Sequence, residues 1–237
     1  MRVASTALLT ACIWFAASAD GAEVSDLVAK LKAKDSDLRR AAAKELSELG
    51  AEAKSAVPDL TRTLRDKDLF VRRYSAEALG NVGPEAKSAI PALSAALNDP
   101  KKEVAEAAID ALGKFGSESL AALTSALKDA NKDPAVRRKA AIALGKIGLR
   151  ARSAVPAMTD ILNGKVKAAK KGKGNDDDIR LEVASALGSV AKSDDTAAIE
   201  ALKTLSEAKR RSPLKTAAGE ALRKINGMEP AKKKKKE

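Results

Sequence analysis

The stretch that decides the fold is DPAVRRKAAIALGKIG, which runs from Asp133 to Gly148. Its apolar side chains stand at offsets of 0, 4, 8 and 11 and are Val136, Ala140, Leu144 and Ile147. Residues at these offsets share one side of a helix with about 3.6 residues per turn. The aspartate can cap free N–H groups at the start of such a helix, and a glycine tolerates the backbone that ends it. The stretch therefore predicts one helix with a single apolar face.

The same pattern occurs six times along the chain. Its central leucine stands at Leu46, Leu79, Leu112, Leu144, Leu187 and Leu222, with spacings of 33, 33, 32, 43 and 35 residues. The apolar residues eight positions earlier are Leu38, Val71, Val104, Val136, Ile179 and Leu214, and those three positions later are Leu49, Val82, Phe115, Ile147, Val190 and Ile225. A fixed period of this length is typical of helical repeats, so we expect these positions to be buried.

A second, shorter helix precedes each of these. Three of its starts are nearly identical: GAEAKSAVPDL at 50–60, GPEAKSAIPAL at 83–93 and GLRARSAVPAM at 148–158. Apolar pairs follow at i and i+4: Leu27/Leu31, Leu60/Leu64, Leu93/Leu97, Leu123/Leu127 and Met158/Leu162, with Leu202/Leu205 as a weaker version. Pro58, Pro91 and Pro156 stand near these starts, where a missing N–H costs little. Each repeat is therefore predicted to be a pair of helices.

With these motifs the chain resembles the HEAT-repeat family, in particular the short bacterial HEAT-like repeats of the phycobilisome-lyase type. Residues 133–148 and 68–83 match its pattern D-x-x-V-R-x-x-A-x-x-A-L-G-x-I-G best, and six repeats span residues 24–227. The resemblance implies an all-α fold, a right-handed alpha-alpha solenoid (HEAT/armadillo-like superhelix) of about six two-helix repeats. The third repeat departs from the pattern at Lys101 and Ala105, and the sixth has Arg223 in place of glycine.

The two ends of the chain differ in composition from the repeats. Residues 1–19 combine Arg2, an apolar run and the small residues Ala17-Ser18-Ala19, which is typical of a cleaved signal peptide. We therefore expect export to a periplasmic or extracellular location. An uncleaved anchor remains an alternative, and so does a lipoprotein signal ending at Cys12. The solenoid is predicted over 20–228 with a Lys/Gly-rich insertion at 163–178, and 229–237 is predicted to be a disordered basic tail.

The composition excludes most catalytic chemistry. The chain has no histidine, and its single cysteine, Cys12, lies in the predicted signal peptide. Histidine acid–base catalysis, thiol nucleophiles and the usual zinc ligand sets are therefore excluded, and we expect no cofactor and no metal. The net charge of +12 favours an anionic partner. With 2% aromatic residues there are few rings on which bases could stack, which disfavours nucleic acid.

Two columns of charged residues are the candidates for specific roles. The first is a predicted structural ladder in which each arginine follows an aspartate by four residues: Asp35/Arg39, Asp68/Arg72, Asp133/Arg137 and Asp176/Arg180. The second column is predicted to lie on the concave face, which second helices line in solenoids of the family it resembles. Its members are Arg40, Arg73, Tyr74, Arg138 and Lys139, with Glu106 and Leu181 interrupting the row.

These features lead to three hypotheses. The first is a non-enzymatic exported scaffold that binds a protein or anionic partner on its concave face. The second is a polyanion or membrane-surface binder that acts through the Lys-rich loop and tail. The third is a lyase-like or enzyme-associated HEAT factor, which the predicted export disfavours.

Overall fold

The structure is a computed structural model that describes residues 23–166 and 176–227. Within these ranges the chain forms helices and no strand. The helices are α1 (23–30), α2 (Ser36–Leu49), α3 (Val57–Thr63), α4 (Leu69–Val82), α5 (Ile90–Ala96), α6 (Lys102–Lys114), α7 (Leu120–Lys128), α8 (Pro134–Ile147), α9 (Val155–Leu162), α10 (Asp176–Val190), α11 (Thr196–Ser206) and α12 (Pro213–Ile225). Odd and even numbers mark the first and second helices of the predicted repeats. The fold is an all-α solenoid of two-helix repeats, as the periodicity predicts.

The predicted start and stop signals are in place. The carboxylate of Asp68 accepts hydrogen bonds from the N–H groups of Phe70 and Val71 at 2.8 and 3.1 Å, and so caps α4. Asp35 and Asp133 cap α2 and α8 in the same way. Lys101 stands at the equivalent position before α6, which begins without a side-chain cap. The glycines that follow the second helices have positive φ: Gly50, Gly83, Gly116 and Gly148.

The segments that connect one repeat to the next are 3₁₀ helices, which the sequence did not suggest. They span Gly50–Ala56, Gly83–Ala89, Gly116–Ser119 and Gly148–Ala154. In the first, Ala53 and Ala56 are fully buried. The small residues of the AEAKSA motif therefore allow the turn between repeats to pack against the core.

Burial confirms the predicted core and corrects it at its ends. The central leucines of the repeated pattern, which we call the column leucines, are buried from Leu46 to Leu187. The apolar pairs of the first helices are also buried, except that Leu205 is half-buried. Leu38 and Leu49 were predicted to be buried, yet Leu38 is 48% exposed and Leu49 is half-buried. In the last repeat Leu222 and its companions Leu214 and Ile225 are only half-buried. The reason is that α2 and α12 each have a described second helix on one side alone.

Glycine inside the second helices permits their close approach. A Cβ atom built on Gly145 would lie 2.9 Å from the Cβ of Ala186, and one on Gly188 would lie 2.8 Å from the Cα of Ala221. Real Cβ atoms essentially never come this close to other heavy atoms. The glycine that follows the column leucine is therefore needed for packing between α8, α10 and α12.

The chain divides into two compact units, Met1–Ala96 and Leu97–Glu237, each with its own packed helices. In the first unit α2 packs on α4, and in the second α6, α8, α10 and α12 pack in sequence.

Asp176–Asp178, predicted to lie in the insertion, belong to α10 instead. The predicted signal peptide at 1–19 and the tail at 229–237 lie outside the described residues. In the part of the chain that the structure describes, no helix is both long and apolar enough to span a bilayer.

Candidate partner-binding site

The predicted ladder has different partners from those the sequence suggested. Arg39 does not bind Asp35, four residues earlier, which caps α2 through its Oδ1. Its guanidinium instead makes a two-point contact with Asp66, with Nε–Oδ2 and Nη2–Oδ1 distances of 2.8 and 2.9 Å. Burial raises the pKa of the Asp66 carboxyl, but the bonds from Arg39 and from the Asp68 N–H leave that pKa below its usual value. The brace therefore joins one repeat to the next.

The other arginines of the ladder share a second role. Each donates to a backbone carbonyl at or just beyond the C-terminal end of the preceding first helix. Arg72 Nη1 donates to the carbonyls of Asp66 and Lys67 at 2.9 and 3.2 Å, and Arg137 Nε to that of Leu127 at 3.0 Å. These carbonyls have no partner within a helix that ends there. The ladder arginines thus supply hydrogen-bond donors to the carbonyls at the C-terminal ends of the first helices.

The side chains of Arg137 and Arg180 are largely covered by the rest of the chain. Arg137 has no exposed surface, although charged residues are seldom fully buried. Arg180 donates to the Leu162 carbonyl at 2.9 Å and approaches Asp177 at 3.4 Å. The predicted partner of Arg180, Asp176, has a side chain outside the described residues. In the described repeats the ladder arginines are thus engaged by carbonyls and carboxylates of their own chain.

Arg40 is held by its own chain more tightly than the sequence suggested. It binds Asp68 and Asp37, the latter at 2.9 Å, and its guanidinium lies 5.2 Å above the ring of Phe70. The arginine and the backbone N–H groups of α4 lower the pKa of the Asp68 carboxyl to about 2, against the opposing effect of burial. Arg40 therefore joins α2 to α4, and fewer of its hydrogen-bond donors remain for a partner.

Arg73, Tyr74 and Lys139 are also engaged within the chain. Arg73 Nε lies 2.8 Å from Glu77, and its guanidinium is 5.3 Å from the ring of Tyr74. Lys139 Nζ lies 2.7 Å from Asp110 and 3.6 Å from Glu106. Glu106 thus pairs with a member of the basic row that it was expected merely to interrupt.

Arg138 is the member of the column that remains available. It is exposed, and it makes no ion pair or hydrogen bond with the described residues. Ile142, one turn further along α8, is partly exposed beside it. In α10 the repeat register places Leu181 and Ser185 at the equivalent positions, and α8 packs directly on α10. We call these four residues the α8–α10 face.

The apolar part of the α8–α10 face escaped the sequence analysis. Leu181 was treated as a gap in a basic row, and Ile142 was not considered. The signal was present, because both residues replace the charged or polar side chains found at the same register in other repeats. Among the described residues no cluster of carboxylates or other metal ligands accompanies this face.

Comparisons with known proteins agree with the fold. A family model described as HEAT repeats matches residues 24–100 and 90–171. No curated protein matches the sequence. An engineered protein solved by crystallography is 26% identical and has a TM-score of 0.58, with 86% of this chain and 97% of the other covered.

Two further solved structures are similar. A designed armadillo repeat protein in complex with the peptide (KR)4 is 19% identical, with a TM-score of 0.61, and covers 86% of this chain and 100% of its own. The complex of CpcE and CpcF of phycocyanin lyase from Nostoc sp. PCC7120 is 22% identical, with a TM-score of 0.45 and coverages of 94% and 91%. The likeness to the engineered and designed proteins concerns the fold and does not extend to activity.

Proposed function

Because the chain belongs to the HEAT-repeat family, we propose that it is a non-enzymatic, exported scaffold that binds a segment of a protein partner on the α8–α10 face. The observation that carries the proposal is the free guanidinium of Arg138 beside the partly exposed side chains of Ile142 and Leu181. Arginine is enriched where proteins bind one another, and the buried core of such an interface is more apolar than the rest of the surface.

The chemistry of this face defines the segment that it suits. A guanidinium with no internal partner favours a carboxylate, which it can bind through two parallel hydrogen bonds. Ile142 and Leu181 favour an apolar side chain near that carboxylate. We therefore propose an extended segment that combines acidic and apolar residues.

The designed armadillo protein supports peptide binding as a use of this fold. Its ligand, (KR)4, is basic. The free side chain on the α8–α10 face is itself basic, so the partner proposed here has the opposite charge. The first unit is a weaker candidate, because Arg40 and Arg73 are already paired with carboxylates.

Peptide binding measured by fluorescence anisotropy tests the proposal. We expect a synthetic peptide of alternating Glu and Leu to bind the full chain more tightly than a Lys/Arg peptide does. Arg138→Glu should weaken binding by about tenfold, because it places like charges together. Lys128→Glu, the same change on an exposed lysine of α7, is the control and should have no effect. Equal affinity for both peptides, or for all three proteins, would contradict the proposal.

Export is tested separately. Intact-mass measurement of protein secreted by its native host should give a chain that begins at Asp20. A chain retained with residues 1–19 would point to an anchor, and one lipidated at Cys12 to a lipoprotein. Recovery of the uncleaved chain in the cytoplasm would overturn the proposal of export.

A polyanion or membrane surface is the second candidate partner. Residues 209–237 contain eleven of the Lys and Arg residues against three Glu, which amounts to +8 of the net charge of +12. Binding to anionic vesicles that is lost at about 500 mM NaCl, and on deletion of 229–237, would support this reading. Absence of binding to such vesicles at low salt would remove it.

A further inference from the structure

The two residues that flank each column leucine follow a regular pattern that changes only at the ends of the solenoid. The residues before the leucines are Glu45, Ala78, Ala111, Ala143, Ala186 and Ala221. The residues after them are Ser47, Gly80, Gly113, Gly145, Gly188 and Arg223. Small residues therefore occupy both positions throughout the interior, glutamate enters at the N-terminal repeat, and arginine enters at the C-terminal one.

Contacts within the second unit show what these positions do. The residue after one column leucine faces the residue before the next: Gly113 faces Ala143, Gly145 faces Ala186 and Gly188 faces Ala221. These are the closest approaches between successive second helices. In the first described repeat the residue before the leucine, Glu45, has no described helix opposite it, and in the last one the residue after the leucine, Arg223, has none.

At the ends these positions carry exposed charges of opposite sign. Arg223 is exposed on the outer side of α12, and Glu45 is exposed on the outer side of α2. Neither forms an ion pair or hydrogen bond with the described residues. If a second copy continued the repeat register, Arg223 of one copy would face Glu45 of the other.

The two ends also differ in the charged side chains that surround Arg223 and Glu45. Lys215 and Arg223 of α12 and the preceding Arg211 line one open cleft of about 760 Å³, together with Glu220 and polar residues. On α2, the exposed Glu48 lies one turn from Glu45 on the same side of the helix, and its carboxylate pairs with the exposed Lys44 at 3.5 Å. We call these two surfaces the basic end and the acidic end.

Both ends also retain apolar surface that the interior repeats bury. Leu38 is 48% exposed and Leu49 is half-buried at the acidic end. At the basic end Leu214, Leu222 and Ile225 are half-buried. Terminal repeats need a polar outer face for solubility, but that need sets neither opposite signs nor exposed leucines.

We propose that copies of this chain associate head to tail, with the basic end of one on the acidic end of the next. The contact is heterologous, so it generates an open chain of copies or a closed ring instead of a symmetric pair. The side chains of Arg223 and Glu45 are larger than glycine and alanine, so the ends meet at a wider spacing than interior repeats. The interface is therefore weak and salt-sensitive. It does not depend on the partner proposed for the α8–α10 face.

Sedimentation velocity of the full chain tests the proposal. We expect the weight-average mass to rise with protein concentration at about 50 mM NaCl and to fall to the monomer value at about 500 mM NaCl. Glu45→Lys/Glu48→Lys removes the acidic end, and Lys215→Glu/Arg223→Glu removes the basic end. Each variant alone should associate at least about tenfold more weakly than the wild type.

A mixture of the two variants distinguishes head-to-tail contact from other association. One variant keeps its basic end and the other keeps its acidic end, so an equimolar mixture should form heterodimers or longer species. Circular dichroism of each variant checks that it is folded. Glu85→Lys/Glu103→Lys and Lys54→Glu/Lys128→Glu make the same charge changes at exposed sites away from the ends and should behave as the wild type.

Three results would overturn the proposal. The first is a wild type that stays monomeric at low salt and high concentration. The second is a pair of end variants that associate as strongly as the wild type. The third is a mixture that remains monomeric while both variants are folded.

Discussion

Adjacent arginines in the second helices have different roles, and α2 shows the difference. Arg39 points back to the turn between α1 and α2, where it binds the carbonyls of Ala33 and Lys34, and it also binds the carboxylate of Asp66 in the corresponding turn of the next repeat. Arg40 lies one residue further round the helix and reaches the cap of the next second helix at Asp68. A rotation of about 100° per residue separates the two positions. Asp68 thus serves as the cap of α4 and as the ion-pair partner of Arg40 together.

The double role of Asp68 predicts a dependence of stability on pH. Its pKa is about 2 in the folded chain, below the usual value near 3.8, because of Arg40 and the N–H groups that it accepts from. The stabilisation is therefore complete above about pH 4 and is lost as the pH falls toward 2. Asp68→Asn keeps a capping side chain but removes the charge. We expect it to lower the free energy of unfolding by about 1 kcal/mol at pH 7, once solvent screening is allowed for.

Urea unfolding of both proteins at pH 7 and near pH 2 measures this effect. The difference between wild type and Asp68→Asn should shrink at the lower pH, because the carboxyl of Asp68 loses its charge as the pH falls through its folded-state pKa of about 2. Asp37→Asn is the control, since the side chain of Asp37 is 81% exposed and surface ion pairs contribute little. A difference that is the same at both pH values would show that the charge of Asp68 is not its cause.

At the scale of the helix, the spacing of successive second helices depends on a residue with no side chain. Gly145 and Gly188 stand where alanine Cβ atoms of the next second helix would otherwise be too close. Inside a helix glycine costs about 0.5–1 kcal/mol relative to alanine. Here the cost is offset by the packing of the neighbouring helix, so the glycine serves contact between helices and not the stability of its own helix.

Gly188→Ala and Gly219→Ala separate these two effects. A Cβ at Gly188 would lie 2.8 Å from the Cα of Ala221, a backbone atom that cannot move alone, and overpacking of this kind costs about 1–3 kcal/mol. At Gly219, on the outer side of α12, nothing lies within 4 Å. We expect Gly188→Ala to lower the melting temperature and Gly219→Ala to raise it slightly, by thermal unfolding monitored with circular dichroism. A rise for both variants would mean that α10 and α12 do not pack as described.

For the whole molecule, burial in a solenoid depends on neighbours, since each repeat contacts only the adjacent ones. Interior columns are fully buried, whereas Leu222 at the C-terminal end is half-buried. Stability is therefore expected to be uneven along the chain, with helices near an end opening more readily than those inside.

Hydrogen exchange followed by mass spectrometry tests this expectation. At low protein concentration and about 500 mM NaCl, where association between copies is suppressed, amides of α12 should exchange at least about tenfold faster than those of α8. At low salt and high concentration, head-to-tail contact should slow exchange in α12 and α2 and leave α8 unchanged. Equal protection of α8 and α12 in the monomer would contradict the expectation.

Much of the candidate site could not be predicted, because it depends on which side chains meet across repeats. The sequence placed Arg40, Arg73, Arg138 and Lys139 in one equivalent column, but it could not show that all but Arg138 are engaged by the chain itself. Likewise the partner of Arg39 lies 27 residues away, at Asp66, instead of four. Contacts between neighbouring repeats depend on helix spacing and on rotamers, neither of which a residue pattern specifies.

The sequence by itself determined the helices, their pairing, their caps and nearly all of the core. It could do so because a period of 3.6 residues is local, and six copies of one pattern remove the ambiguity of a single one. Only the tertiary structure decided which charges remain free, which leucines stay exposed at the ends and why glycine follows the column leucine. These properties arise where one repeat meets the next, so they depend on the distance between helices that the repeat pattern does not contain.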